Sequence, residues 1–329
     1  MSCPVSSSSI WRHDLLEHGP LPGWQTKRFQ RLSARLSAGT FPSALLLTGS
    51  EGVGKRRLGD ALVRAVYCEQ RGDSDPACGQ CGGCRQLAAG SHPDLVICEP
   101  EEGKQSITVD VIREFSRKLY LTPQTAAGRV GYMPRADLMN VNAANALLKT
   151  LEEPPSTAHL ILIADRPAHL PATIRSRCEQ VRAVVESPDE AEAWLEEQFP
   201  DLSPALRQRL VMQPLLAESA QRHAQQESEI RRQLDMVWSQ QRDPVLAAGE
   251  LDDELLPRVG RVIHSCIADQ FRLQMKQGAS TRGRLAMQRL VDANAAALHL
   301  SQTSQANLRL LAETQLIEWA RTGRLLTQN

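Results

Sequence analysis

Over the first ~180 residues, short apolar runs alternate with segments whose apolar positions recur at helical spacing. The run "ALLLTG", Ala44 to Gly49, is continuous and ends in glycine, as a strand buried on both faces does. A helix is predicted after it, through about Tyr67. "DLVICEP" (Asp94 to Pro100) predicts a second strand. Thr108 to Tyr120 places Val109, Ile112, Phe115 and Leu119 on one helical face. "GRVGYM" (Gly128 to Met133) predicts a third strand, and "NAANALLKTLEEPP" a helix stopped by Pro154 and Pro155. "HLILIAD" (His159 to Asp165) predicts a fourth strand. A short helix opened by Pro171 and a fifth strand in "CEQVRAV" complete the series. Such alternation predicts an α/β module over residues 1–180: a mostly parallel sheet with helices on both faces.

Beyond about Ser187 the strand pattern stops. "SPDEAEAWLEEQF" opens with Ser-Pro, a helix N-cap followed by proline in the first turn. A polar stretch rich in Gln, Glu, Arg and Ala, from about Ala220 to Arg242, predicts a further helix. Leu308, Leu311, Leu316 and Ile317 continue helical spacing near the end. The pattern divides this part into a small helical region, 181–222, and an all-helical domain, 223–329.

Length and composition narrow the possibilities. A chain of 329 residues predicts two or three domains. Aromatics make up 4%, so the cores must be built mainly from Leu, Val, Ile and Ala. Lys+Arg and Asp+Glu stand at 38 each, for a net charge of +0. A protein gripping nucleic acid alone across a wide face is usually basic, so any DNA contact is expected to be local or shared. The N-terminal "MSCPVSSSSIWRHD" lacks a basic region followed by an apolar one, and no signal peptide is predicted. The longest apolar runs, such as Leu160 to Ala164, fall far short of the roughly 20 residues of a membrane span. A soluble cytoplasmic protein is expected.

The candidate chemistry begins after the first strand. "GSEGVGK" holds Gly49, Gly52, Gly54 and Lys55, the spacing of a phosphate-binding P-loop. Its glycines let backbone N–H groups turn inward, and its lysine reaches the β/γ oxygens. The next position should be Ser or Thr, to ligate Mg²⁺, and is Arg56. A hydrolytic site also needs an acid at the end of another strand, where Pro134 and Arg135 follow Met133 and Asp137 comes too late. Both losses strike the same function, so the loop reads as vestigial.

Cys68, Cys78, Cys81 and Cys84 form a second constellation. Four thiolates within seventeen residues, interleaved with Gly79, Gly82 and Gly83, suit a tetrahedral structural Zn²⁺. An iron–sulfur loop would want a further cysteine where Ala88 stands. Free thiols are the third possibility. Cys3, Cys98, Cys178 and Cys266 are isolated and expected to be buried as small apolar residues. A third motif, "IRSRCEQ", holds Ser176, Arg177 and Cys178. On its own, Arg177 reads as an ordinary surface arginine.

Taken together, the P-loop position, the four-cysteine insertion after its helix, "NAANALLKTLEEPP" and "IRSRC" resemble the clamp-loader branch of the AAA+ proteins. The resemblance covers nearly the whole chain. It implies an AAA+ module, a helical lid over 181–222 and a helical collar over 223–329. It implies that Arg177, flanked by Ser176 and Cys178, is an arginine finger completing the ATP site of a neighbouring subunit. The gamma/tau relatives that hydrolyse ATP carry the Ser or Thr and the Asp-Glu pair missing here. A non-hydrolysing subunit is therefore implied, partnered by gamma/tau and delta subunits in a hetero-pentamer. The sliding clamp and primed DNA would be met through that complex. An active ATPase and a zinc-dependent DNA-binding protein are the competing readings.

Overall fold

The computed structural model of the chain describes residues 19–70, 77–253, 255–277, 281–301 and 307–327. The chain divides into two compact units between Ala217 and Glu218. The first is built on a five-stranded parallel sheet. Its strands are β1 (Ala44–Thr48), β2 (Leu95–Ile97), β3 (Arg129–Met133), β4 (Ala158–Ala164) and β5 (Glu179–Arg182). They lie in the order β2-β3-β4-β1-β5, all neighbours parallel.

Alternation along the strands sends side chains to two separate cores. Leu45, Leu47, Val130, Tyr132, Ile161 and Ile163 pack beneath α1 (Thr26–Ser37) and α2 (Lys55–Tyr67), with Phe29, Leu58 and Leu62. Leu46, Leu160 and Leu162 face the other way, toward Ile112 and Phe115 of α4 (Val109–Leu119) and Leu147 of α5 (Val141–Glu152). Both faces are thus covered, which is why the central strands read as unbroken apolar runs. Gly131 stands at the centre because a Cβ there would lie 2.7 Å from the ring of Phe115.

The predicted strands and helices are present, with three local differences. The second strand is only Leu95–Ile97, because Asp94 is drawn into a buried polar cluster. The fifth begins at Glu179, since Cys178 turns into the core beside Ile174. The helices α1 and α3 (Gly82–Ala88) have no counterpart in the predicted series. Downstream, α7 (Pro188–Gln198) starts as expected, with the Ser187 hydroxyl accepting from the Glu190 amide. It is followed by α8 (Pro204–Leu210) and a 3-10 turn at Pro214–Leu216. The short helix after Pro171 is α6 (Ala172–Arg175).

Among its described residues, the regular elements of the second unit are all helices. It holds all but the first residue of α9 (Ala217–Trp238), then α10 (Pro244–Gly249), α11 (Leu256–Gln277), α12 (Thr281–Ser301) and α13 (Leu308–Thr327). Its core gathers Ile230, Leu234, Val259, Ile263, Leu290 and Leu316 around the fully buried Trp319. The indole N–H of Trp319 donates to the Leu234 carbonyl at 2.9 Å. Asn294 donates to the Gly260 carbonyl and accepts from Gln315, a buried polar link across α11, α12 and α13. No helix among the described residues is long and apolar enough to cross a membrane.

The polar cluster at the start of β2 holds that edge of the sheet. Asp94 is fully buried and accepts from the Gln124 and Thr125 amides and the Thr125 hydroxyl. Arg129 lies 3.5 Å away and donates to the Leu121, Pro93 and Thr122 carbonyls. Burial pushes the Asp94 carboxyl up, but those hydrogen bonds and Arg129 outweigh it and leave the group below the usual carboxylate range. A depressed carboxyl stabilises the fold above its unfolded pKa, near 4, and that contribution is lost as pH falls through the folded value. Asp94→Ala should destabilise β2 and β3 by about 3 kcal/mol, because Arg129 is left buried without its counter-charge. Amide exchange at Val96 and Val130 reads this: protection should fall in the variant at pH 7, and in the native chain below about pH 4.

Candidate functional site

The P-loop lies between β1 and α2, as its spacing predicts. Gly49, Gly52 and Gly54 all take positive φ, at 143°, 80° and 95°. Gly49 is additionally fixed by close approach, since a Cβ would lie 2.3 Å from the Ala183 carbonyl. Gly54 caps α2 in the left-handed conformation. The loop is then bound by the chain's own groups. The Gly52 carbonyl accepts from the Leu215 amide at 3.1 Å, and a Cβ on Gly52 would meet Leu216 at 2.6 Å. The Val53 carbonyl accepts from Trp24 Nε1 at 3.0 Å and Gln25 Nε2 at 2.8 Å.

Lys55 does not point at open space. Its ammonium is buried, 2.6 Å from Asp165 Oδ1, and donates to the Ser50 carbonyl at 2.6 Å. Arg56 takes the other oxygen of Asp165 at 3.1 Å. The space remaining among Glu51, Gly52, Lys55, Arg56, Asp165, Leu215 and Leu216 is a cavity of about 220 Å³. Ligand pockets usually run from about 300 to 1,000 Å³. On β3, the buried Tyr132 hydroxyl donates to Asp60 at 2.6 Å. Asp137 accepts from the Arg166 amide at 3.0 Å, tied to the turn after β4.

The four cysteines come together as expected. Their sulfurs all lie within 4.8 Å of one another, and Cys78 and Cys84 are 3.9 Å apart. Tetrahedral Zn–S bonds of about 2.3 Å place sulfurs roughly 3.8 Å apart, so this donor set fits a thiophilic metal ion with little movement. Backbone amides already face the sulfurs: Cys78 N to Cys68, Cys81 N to Cys78 and Cys84 N to Cys81, at 3.2, 3.3 and 3.5 Å. Such donors favour the thiolate. The Cys84 amide leads in holding the Cys81 thiol down to about 6, whereas burial pushes Cys84 up to about 12. The glycines have distinct roles. Gly79 turns at φ 73°, and Gly83 lets α3 approach until a Cβ would lie 2.1 Å from the Tyr67 carbonyl. Of the isolated cysteines, Cys98, Cys178 and Cys266 are buried as expected, and Cys3 lies outside the described residues. Burial pushes the Cys98 thiol to about 12 and Cys178 to about 11.

Ser176, Arg177 and Cys178 form the link from α6 to β5. Cys178 and Ile174 anchor it in the core, and Ser176 and Arg177 face solvent. The Ser176 hydroxyl turns back to the Thr173 carbonyl at 3.2 Å. Arg177 Nη1 donates to the same carbonyl at 3.1 Å, and Nη2 lies 2.5 Å from Glu152 Oε1.

Residues 24–185 match the family described as DNA polymerase III, delta subunit. Over that span the chain is similar to this family. Among its relatives is the Yersinia pestis DNA polymerase III subunit delta′, 42% identical over 155 residues, covering 47% of this chain and 45% of the relative. The Pseudomonas aeruginosa subunit delta′ is 39% identical over 178 residues, 54% of this chain and 53% of the relative. The Bacillus subtilis subunit tau is 33% identical over 140 residues, 43% of this chain and 24% of tau. The chain thus spans about half the length of the delta′ relatives it matches. The matched segment contains the P-loop, all four clustered cysteines and the Ser-Arg-Cys link.

Three partners escaped the sequence reading. Asp165 closes β4, which pairs with β1, so the sheet order alone would have pointed to it. Glu152 lies 25 positions from Arg177, and Leu215 over 160 from Gly52, with no local pattern marking either. The charge arrangement predicts an asymmetry. Lys55→Met should change stability by no more than about 1 kcal/mol, because Asp165 keeps Arg56 as partner. Asp165→Ala should destabilise by about 3 kcal/mol, because it leaves a buried ammonium uncompensated. Urea unfolding of the two variants measures the difference.

Proposed function

We propose that this chain is a non-hydrolysing, delta-prime-type subunit of a bacterial DNA polymerase III clamp loader. In this reading it assembles with gamma/tau and delta subunits in a hetero-pentamer in the cytoplasm. The complex places a sliding clamp on primed DNA, and polymerase activity belongs to the holoenzyme. Residues 181–222 act as the lid and 223–329 as the collar that holds the pentamer together. The observation that carries the reading is a contrast between two sites of one module. The P-loop lysine is paired with Asp165 in a small space that Leu215 and Leu216 also line. Arg177 stands exposed on a link anchored by buried Ile174 and Cys178.

Arg177 acts as an arginine finger in trans. Charge builds on the γ-phosphoryl oxygens as that group leaves, and a guanidinium supplies fixed donors and a positive charge to meet it. The anchoring residues hold the backbone, so only the side chain has to cross to the neighbour. The cysteine cluster holds a structural Zn²⁺, which would fasten the segment between α2 and α3. The four thiolates close its coordination, leaving no position for substrate.

Replacing Arg177 tests the finger. Trans-acting fingers contribute about 10³ to 10⁵ in rate at the site they serve. Only the ATP site facing this subunit would lose its finger, so total ATPase of the reconstituted loader should fall partially in Arg177→Ala. Clamp loading should fall further, and the isolated chain's melt should hardly move. Unchanged ATPase and clamp loading with normal assembly would return Arg177 to an ordinary surface arginine. Elemental analysis should separately find about one zinc per chain. Acidification should release it as protons compete for the sulfurs. Iron with sulfide, or no metal, would refute the zinc assignment.

A further inference from the structure

Glu152 ends α5 at the point where the helix presents its unsatisfied carbonyls, and a second acid, Glu153, follows it. Partial negative charge gathers there, so cations are favoured and carboxylates disfavoured. A residue that breaks a local rule is expected to answer a demand from elsewhere in the structure. The demand on Glu152 is visible: its Oε1 lies 2.5 Å from Arg177 Nη2, although the two residues come from separate elements.

We infer that Glu152 is a positioning residue for Arg177, an inference that rests on the arginine-finger reading. The guanidinium is held from two sides. Nη1 donates to the Thr173 carbonyl at 3.1 Å and Nη2 is paired with Glu152. The Arg177 amide donates to the Ile174 carbonyl at 3.1 Å, so the backbone beneath the side chain is fixed as well. An arginine loses considerable rotamer freedom when it engages a phosphate, and a side chain already restrained loses less. Both side chains remain partly exposed, at 35% and 49%. The pair therefore adds little to folding, and its effect belongs to the assembled ring.

The test uses the reconstituted loader with native, Glu152→Gln, Glu152→Ala and Arg177→Ala chains, and Arg177→Ala combined with Glu152→Gln. The quantity read is the Arg177-dependent part of ATP turnover, native minus Arg177→Ala. Glu152→Gln and Glu152→Ala should lower it by about two- to five-fold, the range of an exposed ion pair. Added salt should narrow the gap between native and Glu152→Gln. The double variant should match Arg177→Ala alone, a result that a merely structural role for Glu152 would not produce. Turnover in Glu152→Gln equal to or above native, with Arg177→Ala impaired, overturns the positioning role and leaves the finger standing. No effect from Arg177→Ala overturns both.

Discussion

A buried ammonium needs a counter-charge, and what supplies it decides what a P-loop can do. Lys55 is almost wholly desolvated at the head of α2. In a nucleotide site its charge would be answered by phosphate oxygens; here Asp165 answers it from the adjacent strand. The same carboxylate takes Arg56, the residue standing where a hydroxyl would ligate Mg²⁺. Displacing Asp165 with phosphate would require breaking both contacts while bringing more negative charge to the same place. The amide of Leu215 binds the Gly52 carbonyl, and Leu215 and Leu216 line the space that remains beside the loop. The three glycines remain necessary, because the loop still turns through positive φ and still packs against Ala183 and Leu216.

The rest of the module is organised around that loop. The P-loop follows β1, beside β4 with Asp165 at its end, and β5 leads out to Ala183, whose carbonyl abuts Gly49. Gln25 bridges the Val53 and Val184 carbonyls, linking the loop to the segment that leaves the sheet. Arg177 lies apart from this, on a link whose only buried side chains are its anchors. Its charge is partly exposed and paired with the partly exposed Glu152.

Much of this was legible in the sequence, for identifiable reasons. Strands buried on both faces leave unbroken apolar runs, so β1, β3 and β4 were visible. The cysteine spacing foretold a cluster because its ligands lie close in sequence and its glycines permit the turns. Ser187 announced α7 because capping is a local interaction. Short edge strands such as β2 and β5 carry too few residues to show a period, and their ends are set by tertiary demands on Asp94 and Cys178. The missing hydroxyl and acids could be read as losses. What replaced them could not, because Asp165 lies 110 positions from Lys55 in sequence. Such pairings arise from topology, which local patterns do not encode.

The central claim is that the charge of the phosphate-binding loop is already answered by the chain's own groups. Equilibrium titration of the full-length chain with Mg²⁺-ATP, by calorimetry or a fluorescent analogue, tests it most directly. The account predicts no saturable binding up to about 1 mM, where each tenfold gain in affinity would need a further ~1.4 kcal/mol. Asp165→Ala should not bind better than weakly, since Arg56 still stands where a hydroxyl would ligate Mg²⁺. Saturable binding of the native chain at micromolar concentration, abolished by Lys55→Ala, would contradict the account.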